Sequence, residues 1–239
     1  MSRGQTTASA LALQAGTTLL LLVLLAGCST TSPNTLRIRV EDGAAFKVRV
    51  NMRDTTWDKR VIVVKSTSRV TYRRAARGGW HVRTRTLTMT LKEGDGPVQR
   101  KTPLQLKHPA ADAPGIDARG LVGGRYNLVL ISVGQPPFPP DGFRAGQRYE
   151  VPGAPVDSRI VPAPVRCVVK AVTARDVTLR CEATVKIKGT MTRQVTLTAR
   201  IARADGVSGH RVVETVDRTP SSKDTETERL EIWTTPAGG

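Results

Sequence analysis

Few residues in this chain could carry chemistry. The three histidines, His81, His108 and His210, stand far apart, and none has a neighbour at metal-ligand spacing. His81 lies in an alternating run and His108 in a proline-flanked stretch, so both read as surface or edge side chains. Carboxylates gather at Glu41-Asp42, at Glu93 with Asp95, and at Asp224-Thr225-Glu226, all in turn-like surroundings where solvated acids are ordinary. There is no Gly-x-Ser-x-Gly, no phosphate-binding glycine loop with its lysine, and no His-Glu-x-x-His. The expectation is therefore a protein that is not an enzyme, with no catalytic residue, no metal and no cofactor.

The elements that would position any site are strands. Phe46, Val48, Val50 and Met52 alternate with Lys47, Arg49 and Asn51, and Leu36, Ile38 and Val40 alternate with Arg37, Arg39 and Glu41. The cleanest run sets Val177, Leu179, Cys181, Ala183, Val185 and Ile187 against Thr178, Arg180, Glu182, Thr184, Lys186 and Lys188. Period-two alternation means strands with one face on a core and one in water, as in antiparallel sheets. No stretch of the body combines helical spacing with caps at both ends. The fold class is all-β: antiparallel sheets in two β-rich halves, as a sandwich or a curved open sheet.

The first half spans 36–134, with about five strands by residue 91 and a loop-like stretch over 94–119. The run from Trp80 to Leu91 changes face, which predicts a bulge near Arg85. Asn127–Val133 is apolar in both phases and predicts a strand buried on both sides. Gln135-Pro136-Pro137-Phe138-Pro139-Pro140-Asp141-Gly142 has too many prolines for a central strand and reads as a stiff connector over 135–142. The second half, 143–236, carries about five more strands. A short echo joins Gly43-Ala44-Ala45-Phe46-Lys47-Val48 to Gly146-Gln147-Arg148-Tyr149-Glu150-Val151, too short to separate duplication from coincidence. Trp57, Trp80 and Trp233 read as core or edge packing.

Residues 1–27 read as a targeting segment. Arg3 is the only charge before Arg37, and Leu19 to Leu25 form an unbroken aliphatic run. The following Leu25-Ala26-Gly27-Cys28 resembles the lipobox of bacterial lipoproteins, an aliphatic residue and two small ones before a cysteine. The resemblance implies cleavage after Gly27, acylation of Cys28, and anchoring by two or three acyl chains, since one alone holds marginally. Ser29 follows the cysteine where an aspartate often retains such proteins at the inner membrane. Its presence implies a place in the bacterial cell envelope, at the outer membrane facing the periplasm. Residues 28–35 form a polar tether of about 25 Å at full extension. The two-part layout is similar, in arrangement alone, to other β-rich bacterial lipoproteins.

With Cys28 given to lipid, Cys167 and Cys181 remain as an even pair in an oxidising setting. Both fall on the apolar phase and flank a hairpin turning around Ala174-Arg175-Asp176. A structural disulfide is the favoured reading, and two buried thiols are the alternative. A redox-active pair would want Cys-x-x-Cys spacing, which is absent.

The charge is the remaining signal: 37 Lys and Arg against 20 Asp and Glu, a net +17. Arg37, Arg39, Lys47, Arg49, Arg69, Arg73, Arg83, Arg85, Arg180, Lys186 and Lys188 all take outward positions. Such a surface attracts polyanions, with Arg37, Arg39, Lys47 and Arg49 the candidate site. An envelope location and 4% aromatic content argue against nucleic acid, whose bases stack on aromatic platforms. The partners expected are the membrane through acylated Cys28, and an anionic lipid, lipopolysaccharide or envelope protein. The bland alternative is a solvated sheet face without a ligand. The other functional reading is a periplasmic carrier of lipid or lipoprotein with an apolar cavity inside a curved sheet.

Overall fold

One-sided strands need a shared interior, and the chain supplies it from a single sheet. The computed structural model describes residues 35–76, 78–101, 110–126, 135–154, 160–161, 163–187, 191–220 and 224–237, for 110–114 and 160–161 the backbone alone. The signal segment 1–27, Cys28, the tether through Asn34, His108, Lys188 and the expected strand over Asn127–Val133 lie outside the described residues. What is described is all-β and antiparallel, with no helix.

Strands β1 (Ala45–Thr55), β2 (Val61–Arg74) and β3 (Trp80–Glu93) form a meander. Short β4 (Gln99–Lys101) and β5 (Ala110–Ile116) both pair with β3 at that edge. The loop expected over 94–119 thus contains two strands. They escape the pattern because an edge strand needs only backbone pairing, and β5 tolerates Pro114 there. At the other edge lie β6 (Arg148–Val151), β7 (Ile160–Val161) and β8 (Val165–Val172). From them β9 (Asp176–Ile187), β10 (Met191–Ala202), β11 (Ser208–Arg218) and β12 (Thr225–Pro236) return strand by strand. β12 pairs with β1 from Phe46↔Pro236 to Thr55↔Thr227, which joins both halves into one open sheet.

The inward residues of β2–β3 and of β8–β9 belong to the same core cluster, so the sheet curls around one interior. Leu36, Ile38 and Val40 are buried and alternate with their neighbours as expected, but they form no strand. Instead Ile38 N–H donates to Ala118 O and Arg39 N–H to Asp205 O, laying the segment over the core. The face change in β3 falls at Leu87, which is left over between the pairs Thr67↔Thr88 and Ser68↔Thr86, two residues beyond Arg85.

The proline-rich segment separates the two strand sets in sequence, yet it is packed inside rather than spanning solvent. Gln135 to Pro139 are buried and Phe138 is fully covered. Prolines bring no N–H to satisfy, so only carbonyls need partners. Tyr126 Oη donates to Gln135 O at 2.8 Å, and Tyr149 Oη to Pro137 O at 2.7 Å. Arg119 Nη2 donates to Phe138 O at 3.1 Å and Arg37 Nη2 to Pro140 O at 3.0 Å. Burial pushes the Tyr126 and Tyr149 phenols well above their usual range, fixing both as donors.

The sequence echo has a structural counterpart. Gly43 and Gly146 both have φ of 80°. Gly43 N–H bonds Tyr72 O while Tyr72 N–H returns to Ala44 O. Likewise Gly146 N–H bonds Val169 O, and Val169 N–H returns to Gln147 O. The same turn therefore launches β1 beside β2 and β6 beside β8.

Cys167 and Cys181 are directly opposed on β8 and β9, joined as a disulfide with Cα atoms 4.0 Å apart. The hairpin turns at Thr173–Asp176, where Thr173 Oγ1 accepts the Asp176 N–H. Replacing both cysteines by alanine should cost about 3 kcal/mol in urea unfolding, the chain-entropy value for a loop of this size. Gly206 has φ of 71°, and a Cβ there would stand 2.0 Å from Arg37 O. Gly206→Ala should cost about 2 kcal/mol, whereas Gly209→Ala, with open space at its Cβ, should cost clearly less.

Candidate functional site

Direct cross-strand register decides which cations act together. Lys47 faces Arg69 across β1–β2, and Arg69 faces Arg85 across β2–β3. The three form one row on the outer face, all exposed, and make no ion pair with any described residue. Arg49 sits two residues along β1, between Thr67 and Trp233. Arg73 faces His81 one row beyond Arg83, again on β2 and β3. Like charges directly opposed cost about 0.2–1 kcal/mol per pair, so this row is a standing repulsion that a bound anion would relieve.

The four residues picked from sequence divide. Lys47 and Arg49 lie on this face. Arg37 is half-buried and its guanidinium ties the proline-rich segment, held below its usual pKa by burial and then by nearby Arg119. Arg39 is exposed on the same covering segment. The strands bring Lys47 and Arg49 together with Arg69 and Arg85, and leave Arg37 to a structural task. Pairing register carries that information, and it is not legible from alternation alone.

The inner face holds a second group of charges. At the end of the sheet away from the proline-rich segment, Asp54 faces Glu228 and Asp217 faces both Glu226 and Arg193. Arg193 grips Asp217 with two bonds of 2.8 and 2.6 Å, and Asp217 is almost fully buried. Burial, with the Asp54 charge next, raises the Glu228 and Glu226 carboxyls, while Arg193 opposes. Asp54 is raised by burial and by Asp217, and its Oδ1 is buried without a hydrogen-bond partner. Among the described residues no group of His, Cys, Asp and Glu could hold a metal ion. The available signal was an acid on the inward phase: Asp54 follows Val50 and Met52, and Glu228 precedes Leu230 and Ile232.

His210 is half-buried, with Nε2 3.1 Å from Glu231 Oε1 and its ring against Trp233. His81 is exposed on β3, as expected. Trp80 is a core residue packed edge-on to Tyr72, under the Arg74 guanidinium. Arg211 is the largest buried charge. It lies on the inward phase, donates to Ser208 O and Thr234 Oγ1, and burial lowers it to about 10 against the opposing influence of Tyr72 and Tyr126.

Among the described residues, neighbouring hollows open on the outer face at the β6–β9 edge. One of about 700 Å³ is lined by Arg148, Arg166, Lys170, Arg180 and the carboxylates Glu150 and Glu182, with Tyr149, Cys167 and Val168 between them. The other, about 240 Å³, includes Arg166, Glu182, Thr184 and Gln194. Neither is the apolar cavity that a lipid carrier would use. Fold and face together define an all-β protein with a cationic outer sheet surface. No protein-family model matches the chain, and no curated protein matches it.

The raised carboxyls carry a sign. Their folded pKa values exceed the unfolded ones, so their ionised forms cost stability at neutral pH. The cost is relieved as pH falls through the raised values and vanishes below the unfolded carboxylate range. Glu228→Gln should therefore raise the urea midpoint at pH 7, and the gain should disappear on titration to about pH 4.

Proposed function

We propose that this protein is a non-enzymatic, lipid-anchored component of the bacterial cell envelope that binds an anionic envelope constituent, lipid or lipopolysaccharide, through its outer sheet face. The observation carrying this reading is the row Lys47–Arg69–Arg85, three exposed cations in direct register without a carboxylate partner among the described residues. A solvated face without a ligand would gain from interleaved acids there, as on β11 and β12, where Arg229 pairs with Glu214. The lipobox over Leu25–Cys28 supports the anchor. With Cys28 acylated and a tether of a few residues, the folded body would begin within about 25 Å of the bilayer surface, and each basic residue that meets an anionic surface contributes about 1 kcal/mol.

The test has two parts. Cys28→Ser should abolish incorporation of labelled palmitate into the chain. On the chain from residue 28 onward carrying Cys28→Ser, sedimentation with vesicles containing phosphatidylglycerol should show binding that weakens steeply with salt, and phosphatidylcholine vesicles should show none. Lys47→Glu, Arg69→Glu and Arg85→Glu together should reduce binding by about a hundredfold or more, at roughly 1 kcal/mol per residue. Undiminished binding in the triple variant would discard this face as the site.

A further inference from the structure

The larger outer hollow lies at the opposite edge of the sheet from the β1–β3 row, and its charges are arranged differently. Arg148 on β6 and Arg180 on β9 both face Val168 on the intervening β8. Their Cα atoms are thus two strand spacings apart, about 9.5 Å, and the residue between them is short and apolar. Two arginine side chains of that reach can meet above Val168 on one anion, each presenting its planar fork. Lys170 joins them from a β-bulge: Val169 pairs with Leu179 and Ala171 with Thr178, leaving Lys170 as the extra residue. Bulges re-aim side chains, and this lysine lines the hollow.

One row along the strands, about 7 Å away, the order reverses. Arg166 on β8 stands between Glu150 and Glu182. Arg166 Nε lies 3.1 Å from Glu150, and Arg180 reaches Glu182 at 2.9 Å. Arg148 and Lys170 make no ion pair with any described residue. The hollow therefore has a cationic end with two uncommitted charges, followed by carboxylates. The second hollow shares Arg166 and Glu182 and continues to the hydroxyl of Thr184 and the amide of Gln194.

We infer that this groove is a binding site for a phosphorylated sugar, with the phosphate held by Arg148, Lys170 and Arg180 over Val168. The hydroxyls lie toward Glu150, Glu182, Thr184 and Gln194. A phosphate dianion matches two uncommitted cations and a shared arginine. Carboxylates beside it would repel a second phosphate but accept hydrogen bonds from hydroxyls. The combined hollows have the size of a small-molecule site, ample for one or two sugar rings. The groove uses none of the residues of the β1–β3 face, so either can fail without the other.

The experiment is calorimetric titration of the chain from residue 28 onward, carrying Cys28→Ser, with glucose 6-phosphate, inorganic phosphate and glucose. Glucose 6-phosphate should bind about tenfold or more tightly than either fragment. Arg148→Ala and Lys170→Ala should each weaken it by about tenfold, with unchanged thermal midpoints. Glu150→Gln should narrow the preference over inorganic phosphate. The triple variant of the β1–β3 row should bind the sugar phosphate normally. Competition by a micellar glycolipid with a phosphorylated headgroup would support the site and assign its ligand to lipid, and lack of competition would support a free sugar phosphate. Absent binding, binding untouched by Arg148→Ala and Lys170→Ala, or equal affinity for inorganic phosphate, would overturn the proposal.

Discussion

Everything in this fold depends on satisfying the carbonyls of a buried proline-rich segment. A curled sheet of this length leaves an interior that needs filling, and no helix among the described residues covers it. The filling comes from Gln135 to Pro139, whose prolines bring apolar bulk and no donors of their own. Their carbonyls would be costly to bury alone, and tyrosines and arginines from four separate places answer them. Tyr126, Tyr149, Arg119 and Arg37 thus tie the covering segments, the edge strand β6 and the chain entering the body to one plug. Arg37 serves this network, which is why a residue that looks like surface charge in sequence is half-buried in structure.

The two faces of the sheet then meet opposite demands. Inside, charge is held by partners, Arg193 on Asp217 and Arg211 on Ser208 O and Thr234 Oγ1, or gathers at the end away from the proline-rich segment, where Asp54, Glu226 and Glu228 crowd and their proton affinities rise. Outside, cations accumulate. They stand without a carboxylate partner among the described residues in the row Lys47–Arg69–Arg85 and are interleaved with acids on β6, β8 and β9, so one net charge produces two kinds of surface. The first is broad and unspecific in shape. The second has a floor, a bulged lysine and a boundary of carboxylates, the features that convert attraction into selection.

Much of the strand content was legible because burial and alternation are the same fact seen twice. The run Val177 to Ile187 came out as read, and so did the Cys167–Cys181 opposition and its turn. Sequence failed where backbone pairing proceeds without alternation, in β4 and β5, and where alternation proceeds without pairing, in Leu36–Val40. The proline cluster was correctly barred from the sheet, but its polarity gave no hint that tyrosines elsewhere would bury it. For the candidate sites, the type and phase of each cation were readable. Their neighbours were not, since the register Lys47↔Arg69↔Arg85 and the bulge at Lys170 are decided between strands.

The pairing of β1 with β12 bears on how the chain reaches this state. Phe46 meets Pro236 across most of the sequence, whereas the other long strands pair with their neighbours in sequence, so the closing contact waits for the last strand. Loop closure over that span costs little more than over half of it, but the search is slow, and folds built on such pairings form late. Until then β1 is an open edge, a template for pairing with another chain. Its outward Lys47, Arg49 and Arg53 carry the charges that discourage such pairing. Cations that could serve a ligand in the finished sheet would also act as gatekeepers while it is incomplete, which gives the repulsion along this strand a use before any partner is met.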